Sequence, residues 1–283
     1  MKIGTRDVGP GHRTFVIAEV GSNWAGSITA AFALIDAAAD AGADCVKFQA
    51  GHADHVYDVT LMPEEYASFK RWVEPTLAVL PFLKVKCDER GIEFMCSSFC
   101  LDALDEVDRY VPAHKIASIE SQWPDFCLAV LNKDKPMIVS TGMRNDTLTT
   151  IFTDEVVFLG CTVSYPCDLK DAHIASMPRG DHMWGLSDHT LHPTIAPCAA
   201  VSLGACVIEK HIRPSLAGAS VDALRLAEMT PDWPHSLSPA RFGEMVDAIR
   251  MTEQALGSAE KRIRPSEEKY LKYRRGPRGL RGA

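Results

Sequence analysis

Eight short stretches of nearly continuous apolar residues recur along the chain, at 15–20, 45–50, 93–99, 114–118, 136–141, 156–163, 183–187 and 206–212. Runs of this length and purity mark strands of a parallel sheet covered on both faces, where the wet–dry alternation of a half-exposed strand is lost. Between them the pattern turns helical. Residues 30–41 are alanine-rich and stop at Gly42, a common helix terminator. A longer helical pattern over 63–90 is interrupted at Pro75 and Pro81, and shorter ones cover 101–111, 124–132 and 193–203. At 238–256, Phe242, Met245, Val246, Ile249 and Met251 fall near helical spacing and predict an amphipathic helix. Eight strands, each followed by a helix, predict an α/β chain folded as a single (β/α)8 TIM barrel with right-handed crossovers. Residues 1–283 are read as one barrel domain, with 265–283 as a basic C-terminal tail. A doubly wound sheet could use the same units, but eight strands in this length favour closure.

Composition then excludes several classes. With 46% hydrophobic residues over 283 positions the chain is neither disordered nor in need of staples. No run of 18 apolar residues and no apolar signal segment near the N-terminus occur, so a cytoplasmic protein without membrane association is expected. The nine cysteines are scattered and form no Cys-x-x-Cys pair, which predicts reduced, mostly buried thiols. The net charge is -7, yet residues 261–283 hold nine lysines and arginines against two glutamates. The rest is therefore strongly acidic, which argues against non-specific nucleic-acid binding; the tail reads as a solvated terminus.

In a barrel, chemistry gathers at the C-terminal ends of the strands. Every predicted strand carries polar groups there: Glu19; Lys47 and Gln49; Ser97; Lys115, Ser118 and Glu120; Ser140; Ser164 and Tyr165; Ser187, Asp188 and His189; Glu209, Lys210 and His211. Packing alone does not call for polar groups on all eight. Two lysines with the hydroxyls of Ser97, Ser118, Ser140 and Ser187 make a cage for phosphate plus carboxylate. His189 and His211, on adjacent strands, can hold one divalent metal, and Glu19 and Glu120 are candidate acid/base groups. A metal beside an anion cage suits carbon–carbon bond formation with a polarised aldehyde.

The ordered motifs FVIAEVGSN, GADCVKFQ, KIAS-I-E, IVSTGM, YP, GLSDHT and LGACVIEKH resemble the N-acetylneuraminate (sialic acid) synthase family, over roughly residues 13–275. The resemblance implies a (β/α)8 enzyme that condenses phosphoenolpyruvate with a sugar-like aldehyde to a 2-keto-3-deoxy acid, releasing phosphate. It implies phosphoenolpyruvate contacts from Lys47, Ser97, Lys115, Ser118, Ser140 and Ser187, with Gln49 and Tyr165 also facing substrate. Glu19 and Glu120 would lie beside the reacting carbons, Glu120 deprotonating the attacking water. A divalent metal would sit on His189 and His211, most simply Mn²⁺, with Mg²⁺, Co²⁺ and Zn²⁺ compatible. Family analogy also implies a homodimer or larger homo-oligomer.

The stretch 231–239 is similar to the family's Pro-Asp-His-x-x-Ser-Leu-x-Pro, which makes Asp232 an acceptor-sugar contact and puts Trp233 where the family has His. Other departures are Trp24-Ala25 in the first loop and Val163 in place of a polar phosphate contact, with Ser164 a substitute donor. The sequence stops where the family's antifreeze-like domain would begin, so an acceptor different from a sialic-acid precursor is expected. Two other readings stay open: an aldolase or lyase using another enolate donor such as pyruvate, with Lys115 as a Schiff base, and a non-catalytic barrel subunit. His52, His55 and Arg213 are peripheral candidates for acceptor or anion contacts.

Overall fold

The structure is a computed structural model, and it describes residues 1–145, 155–176, 182–215, 225–226 and 228–273. A two-stranded antiparallel hairpin, β1 (Lys2–Ile3) and β2 (Arg6–Asp7), precedes the barrel. Eight parallel strands follow: β3 (Phe15–Glu19), β4 (Cys45–Ala50), β5 (Glu93–Ser98), β6 (His114–Ile116), β7 (Met137–Ser140), β8 (Val156–Cys161), β9 (Met183–Asp188) and β10 (Val207–His211). They hydrogen-bond in chain order and β10 closes onto β3, the predicted barrel.

The helices α1 (Ile28–Asp40), α2 (Ala53–Val56), α3 (Pro63–Trp72), α4 (Leu80–Arg90), α5 (Leu101–Asp108), α6 (Pro124–Leu131), α7 (Ile195–Ser202) and α8 (Pro239–Leu256) surround it. Pro75 and Pro81 have the expected effect: 63–90 splits into α3, a 3₁₀ stretch Glu74–Val79, and α4. Among the described residues the connections after β7 and β8 show no α-helix; the one after β8 holds the 3₁₀ turns Leu169–Asp171 and Ile174–Ser176. Among the described residues no helix is long and apolar enough to cross a membrane, and all nine cysteines are free thiols.

The period-two alternation of a strand decides what enters the barrel. Phe15, Ile17, Cys45, Met95, Ile138, Val157, Leu159 and Val207 fill its lower interior together with Ile3 and Val8 of the N-terminal segment. The same inward parity, continued toward the C-terminal ends, delivers Glu19, Lys47, Gln49, Ser97, Lys115, Ser140, Ser187, Glu209 and His211 to the mouth. The opposite parity (Val16, Ala18, Val46, Phe48, Ile208) packs against the helices, where Trp24 of the first loop is also buried. The interior is thus graded, apolar at the floor and ionic at the rim. Lys210, of outward parity, is fully buried behind the wall and bonds Asp188 Oδ2 at 2.6 Å and the carbonyl of Thr190.

Candidate active site

Two adjoining cavities open at the C-terminal end of the barrel. The inner well, about 60 Å³, is lined by eleven of the thirteen residues singled out in the sequence. The outer vestibule, about 940 Å³, shares Gln49 and Phe99 with it and adds Glu120 and the aromatic walls Tyr57, Phe69 and Trp123. Asp232 lines neither; it lies beside His211 at the rim.

Strand register sets the charges of the well. Pairing places Glu19 opposite both Lys47 and His211, and Ser97 opposite both Gln49 and Lys115. Lys47 Nζ lies 2.5 Å from Glu19 Oε2 and 3.5 Å from Glu209 Oε2, and donates to Ser97 Oγ at 3.1 Å. Lys115 Nζ donates to Ser140 Oγ at 2.8 Å and lies 3.6 Å from Glu209 Oε1, which also accepts from Ser187 Oγ at 2.9 Å. Gln49 Nε2 donates to Glu19 Oε1 at 2.9 Å. Ser118 Oγ accepts the Gly142 amide at 3.1 Å; a side chain on Gly142 would clash with both that hydroxyl and Val163.

Glu209, named in the sequence among the strand-end polar groups, was given no role there. Among the described residues it is the one carboxylate that touches both lysines and a serine. The signal was available: if His211 points inward, Glu209 two residues before it must do so too.

Environment splits the carboxylates. Burial would raise Glu209, but Lys115 and Lys47 outweigh it and hold its carboxyl well below the usual range. Burial wins at Glu19, with Lys47 opposing and Glu209 adding to the rise. Burial pushes Glu120 up to about 7, near neutrality, where an acid/base group works best. Lys115 is lowered by burial, whereas Glu19 and Glu209 overcome burial at Lys47 and raise it. The well therefore holds opposed charges in contact, ready to re-pair around an anion.

At the rim the rings of His189, His211 and His235 face one another, with centroids 5.7 Å (189–211), 4.5 Å (211–235) and 5.9 Å (189–235) apart. His189 Nδ1 lies 3.0 Å from the carbonyl of Thr162, which fixes Nε2 as the free lone pair, a common orientation device for a metal-ligating histidine. Among the described residues His211 Nδ1 has no hydrogen-bond partner. Donor atoms of His211, Asp232 and His235 fall within 4.8 Å of one another. These nitrogen and carboxylate donors suit a divalent cation. The expected pair His189 and His211 is thus brought together, while Asp232 is grouped with the histidines instead of standing at the vestibule wall. His235 escapes the motif comparison, because it stands two positions beyond Trp233, which fills the place the family gives to His.

Asp232 is positioned by the first loop. Its Oδ2 accepts from the Ser22 amide at 2.6 Å and from Ser22 Oγ at 2.8 Å. Gly21, at φ +52°, permits this approach: a β-carbon there would stand 2.2 Å from Asp232 Oδ2. Asn23 ties the same two segments, donating to the Ile212 carbonyl and Ser236 Oγ while accepting from Thr230 Oγ1.

Other expectations sort as follows. Tyr165 stands over His189, ring centroids 4.3 Å apart. Ser164 does not substitute at the well: its hydroxyl donates to the Pro166 carbonyl and the residue lines neither cavity. His55 lines the vestibule, and His52 pairs with Glu106. Arg213 stacks on Trp233, 4.3 Å from its ring centre, outside the site. Residues 274–283 of the basic tail lie outside the described residues.

The NeuB family model matches residues 34–261. The spore coat polysaccharide biosynthesis protein SpsE of Bacillus subtilis is 33% identical, covering 95% of this chain and 75% of that protein. A pseudaminic acid synthase of Campylobacter jejuni is 32% identical over 95% of this chain and 81% of its own length. Among solved structures, a sialic acid synthetase from Leptospira borgpetersenii in complex with citrate superposes with a TM-score of 0.83 at 25% identity, covering 98% of this chain and 97% of that one.

Proposed function

The chain belongs to the NeuB family of sialic acid-type synthases, which condense phosphoenolpyruvate with a sugar, and from that premise we propose that it joins phosphoenolpyruvate to a neutral sugar-like aldehyde with release of phosphate. The observation that carries this reading is the well itself. Lys47 and Lys115, each on a serine hydroxyl and both braced by Glu209, meet the phosphate and carboxylate of one small dianionic or trianionic ligand.

In this reading C3 of the enol attacks the aldehyde carbon at the junction of the two cavities, and the aldehyde oxygen takes up a proton. Glu19, held toward its protonated form by burial, is placed to supply it. Water then adds at C2 while Glu120, on the vestibule side, removes one of its protons; the tetrahedral carbon expels phosphate by C–O cleavage, and the remaining hydroxyl proton leaves with the phosphate to give the 2-keto acid. A divalent metal on His189 and His211 would supply Lewis-acid polarisation of the aldehyde carbonyl. We take the cytoplasm as the compartment and a homo-oligomer as the active unit, as the family resemblance implies.

The vestibule bears on the acceptor. Its described lining carries Glu64, Glu65 and Glu120 and no lysine or arginine, with aromatic faces from Tyr57, Phe69, Phe99 and Trp123. Such a chamber favours an uncharged sugar with an apolar face over a sugar phosphate. The test is phosphate release from phosphoenolpyruvate with paired neutral and phosphorylated aldehydes, with product masses. Release with neutral acceptors is expected; release confined to phosphorylated ones overturns the acceptor class, and absence of phosphoenolpyruvate binding overturns the reaction.

One observation favours the Schiff-base reading: burial lowers Lys115, as a nucleophilic amine requires. Its ammonium is engaged by Ser140, the Ile116 carbonyl and Glu209, which favours an anion partner instead. Borohydride with pyruvate is expected to leave Lys115 unmodified; a trapped adduct by mass spectrometry reverses the preference.

A further inference from the structure

We propose that His235 is a direct ligand of the site's divalent metal, making with His189, His211 and Asp232 a set of three imidazoles and one carboxylate. The proposal rests on the metal-dependent reading above and concerns what this chain adds to the histidine pair.

The first ground is an unsatisfied ring. His235 is 2% exposed, and among the described residues neither Nδ1 nor Nε2 has a hydrogen-bond partner. A buried imidazole with both nitrogens unpaired forfeits about 1–3 kcal/mol per polar group. Native structures rarely leave that unanswered unless a ligand completes the site. A ring present only for packing would be served better by Phe.

The second ground is geometry. With a nitrogen–metal distance of about 2.1 Å, two imidazoles sharing one ion hold ring centres about 4.5 to 5.5 Å apart at right to trigonal angles, and more as they approach opposition. His211 and His235, 4.5 Å apart, fall within that range, and their donor atoms cluster with one from Asp232; His189, at 5.7 and 5.9 Å, stands at the wider angles. Asp232 Oδ1 lies 3.5 Å from His235 Nε2, while Oδ2 is committed to Ser22, so the carboxylate offers one oxygen to the histidine face.

The third ground is preorganisation. The segment carrying both residues is a 3₁₀ turn, Trp233–His235, latched at each end: Asp232 to Ser22, and Ser236 to Asn23 and the Asp232 carbonyl. Trp233 and Pro234 face away into a separate groove with Arg213 and Arg241. The turn therefore presents one imidazole inward and the indole outward.

A nitrogen-rich set moves preference along the divalent series toward Co²⁺ and Zn²⁺ and away from Mg²⁺ and Mn²⁺. The experiment uses the full-length protein and Co²⁺, with competition by a coloured chelator for affinity and the d–d absorption as signature. His235→Phe, which refills the space, is expected to weaken Co²⁺ about 100-fold and shift the visible band, with the thermal midpoint of the metal-free protein retained. His211→Ala sets the scale for the underlying reading. If His211→Ala abolishes binding while His235→Phe leaves affinity and spectrum unchanged, the third ligand falls and the pair stands. If the wild-type protein takes up no Co²⁺, both fall. Should His235→Phe fail to fold, X-ray absorption on the wild-type Co²⁺ form decides: three imidazoles support the proposal, two overturn it.

Discussion

Glu209 shows how one side chain organises a charged well. It touches Lys47, Lys115 and Ser187 at once, so replacing it by Gln leaves two buried ammonium groups without their shared counter-charge. Glu209→Gln should fold and should lower kcat/KM for phosphoenolpyruvate by about 100-fold, read from steady-state phosphate release. Glu120 makes a separate prediction. Its carboxyl is pushed up to about 7 by burial, and it accepts a proton only when ionised. The rate of the water step should therefore rise about tenfold per unit as pH climbs toward 7 and level off above it. Glu120→Gln should remove that limb and lower kcat by about 10² to 10⁴; a mutant that keeps the wild-type profile assigns the proton to another group. At this scale the sequence was informative about type and place. Eleven of its thirteen residues share the well, because strand ends can be located from apolar runs and polar residues there stand out. His235 was illegible, because its loop sits at the rim by tertiary contact with Ser22 and Asn23, some two hundred positions away.

The pleat is the agent at the level of elements. Inward and outward parity gives Glu209 and Lys210, neighbours in sequence, opposite fates: one in the well, the other sealed behind the wall against Asp188. That pair joins β9 to β10 just beneath His189. Lys210→Ala should cost about 3–5 kcal/mol in urea unfolding, since it strands Asp188 in a dry site. The double replacement Lys210→Met with Asp188→Leu should recover much of the loss; if it does not, the pair serves more than charge neutralisation. Strand positions were legible to within one residue, except at β6 and β8, which end two residues before their apolar runs. Two features were not. The hairpin β1–β2 is too short to show any period, and the 3₁₀ turns in the described part of the connection after β8 have no signal in the apolar pattern.

For the whole molecule, the division of labour between the cavities is testable. Trp123 lines only the outer one, stacked on Phe126 with ring centres 5.4 Å apart. Trp123→Ala should raise KM for the aldehyde about tenfold, the loss of one aromatic face, while KM for phosphoenolpyruvate stays put. A parallel rise in both constants would mean that the two cavities act as one compartment.

The two cavities have only Gln49 and Phe99 in common. The groups of the inner well, where we propose the donor binds, are carried mainly by strands, so altering them means reworking the hydrogen-bonded wall itself. Most of the vestibule lining, proposed for the acceptor, comes from segments 55–73 and 119–123, which are hung on that wall and not woven into it. Such a layout lets one reaction be inherited intact while its second substrate is renegotiated, by exchanging a helix or lengthening a loop, lineage by lineage.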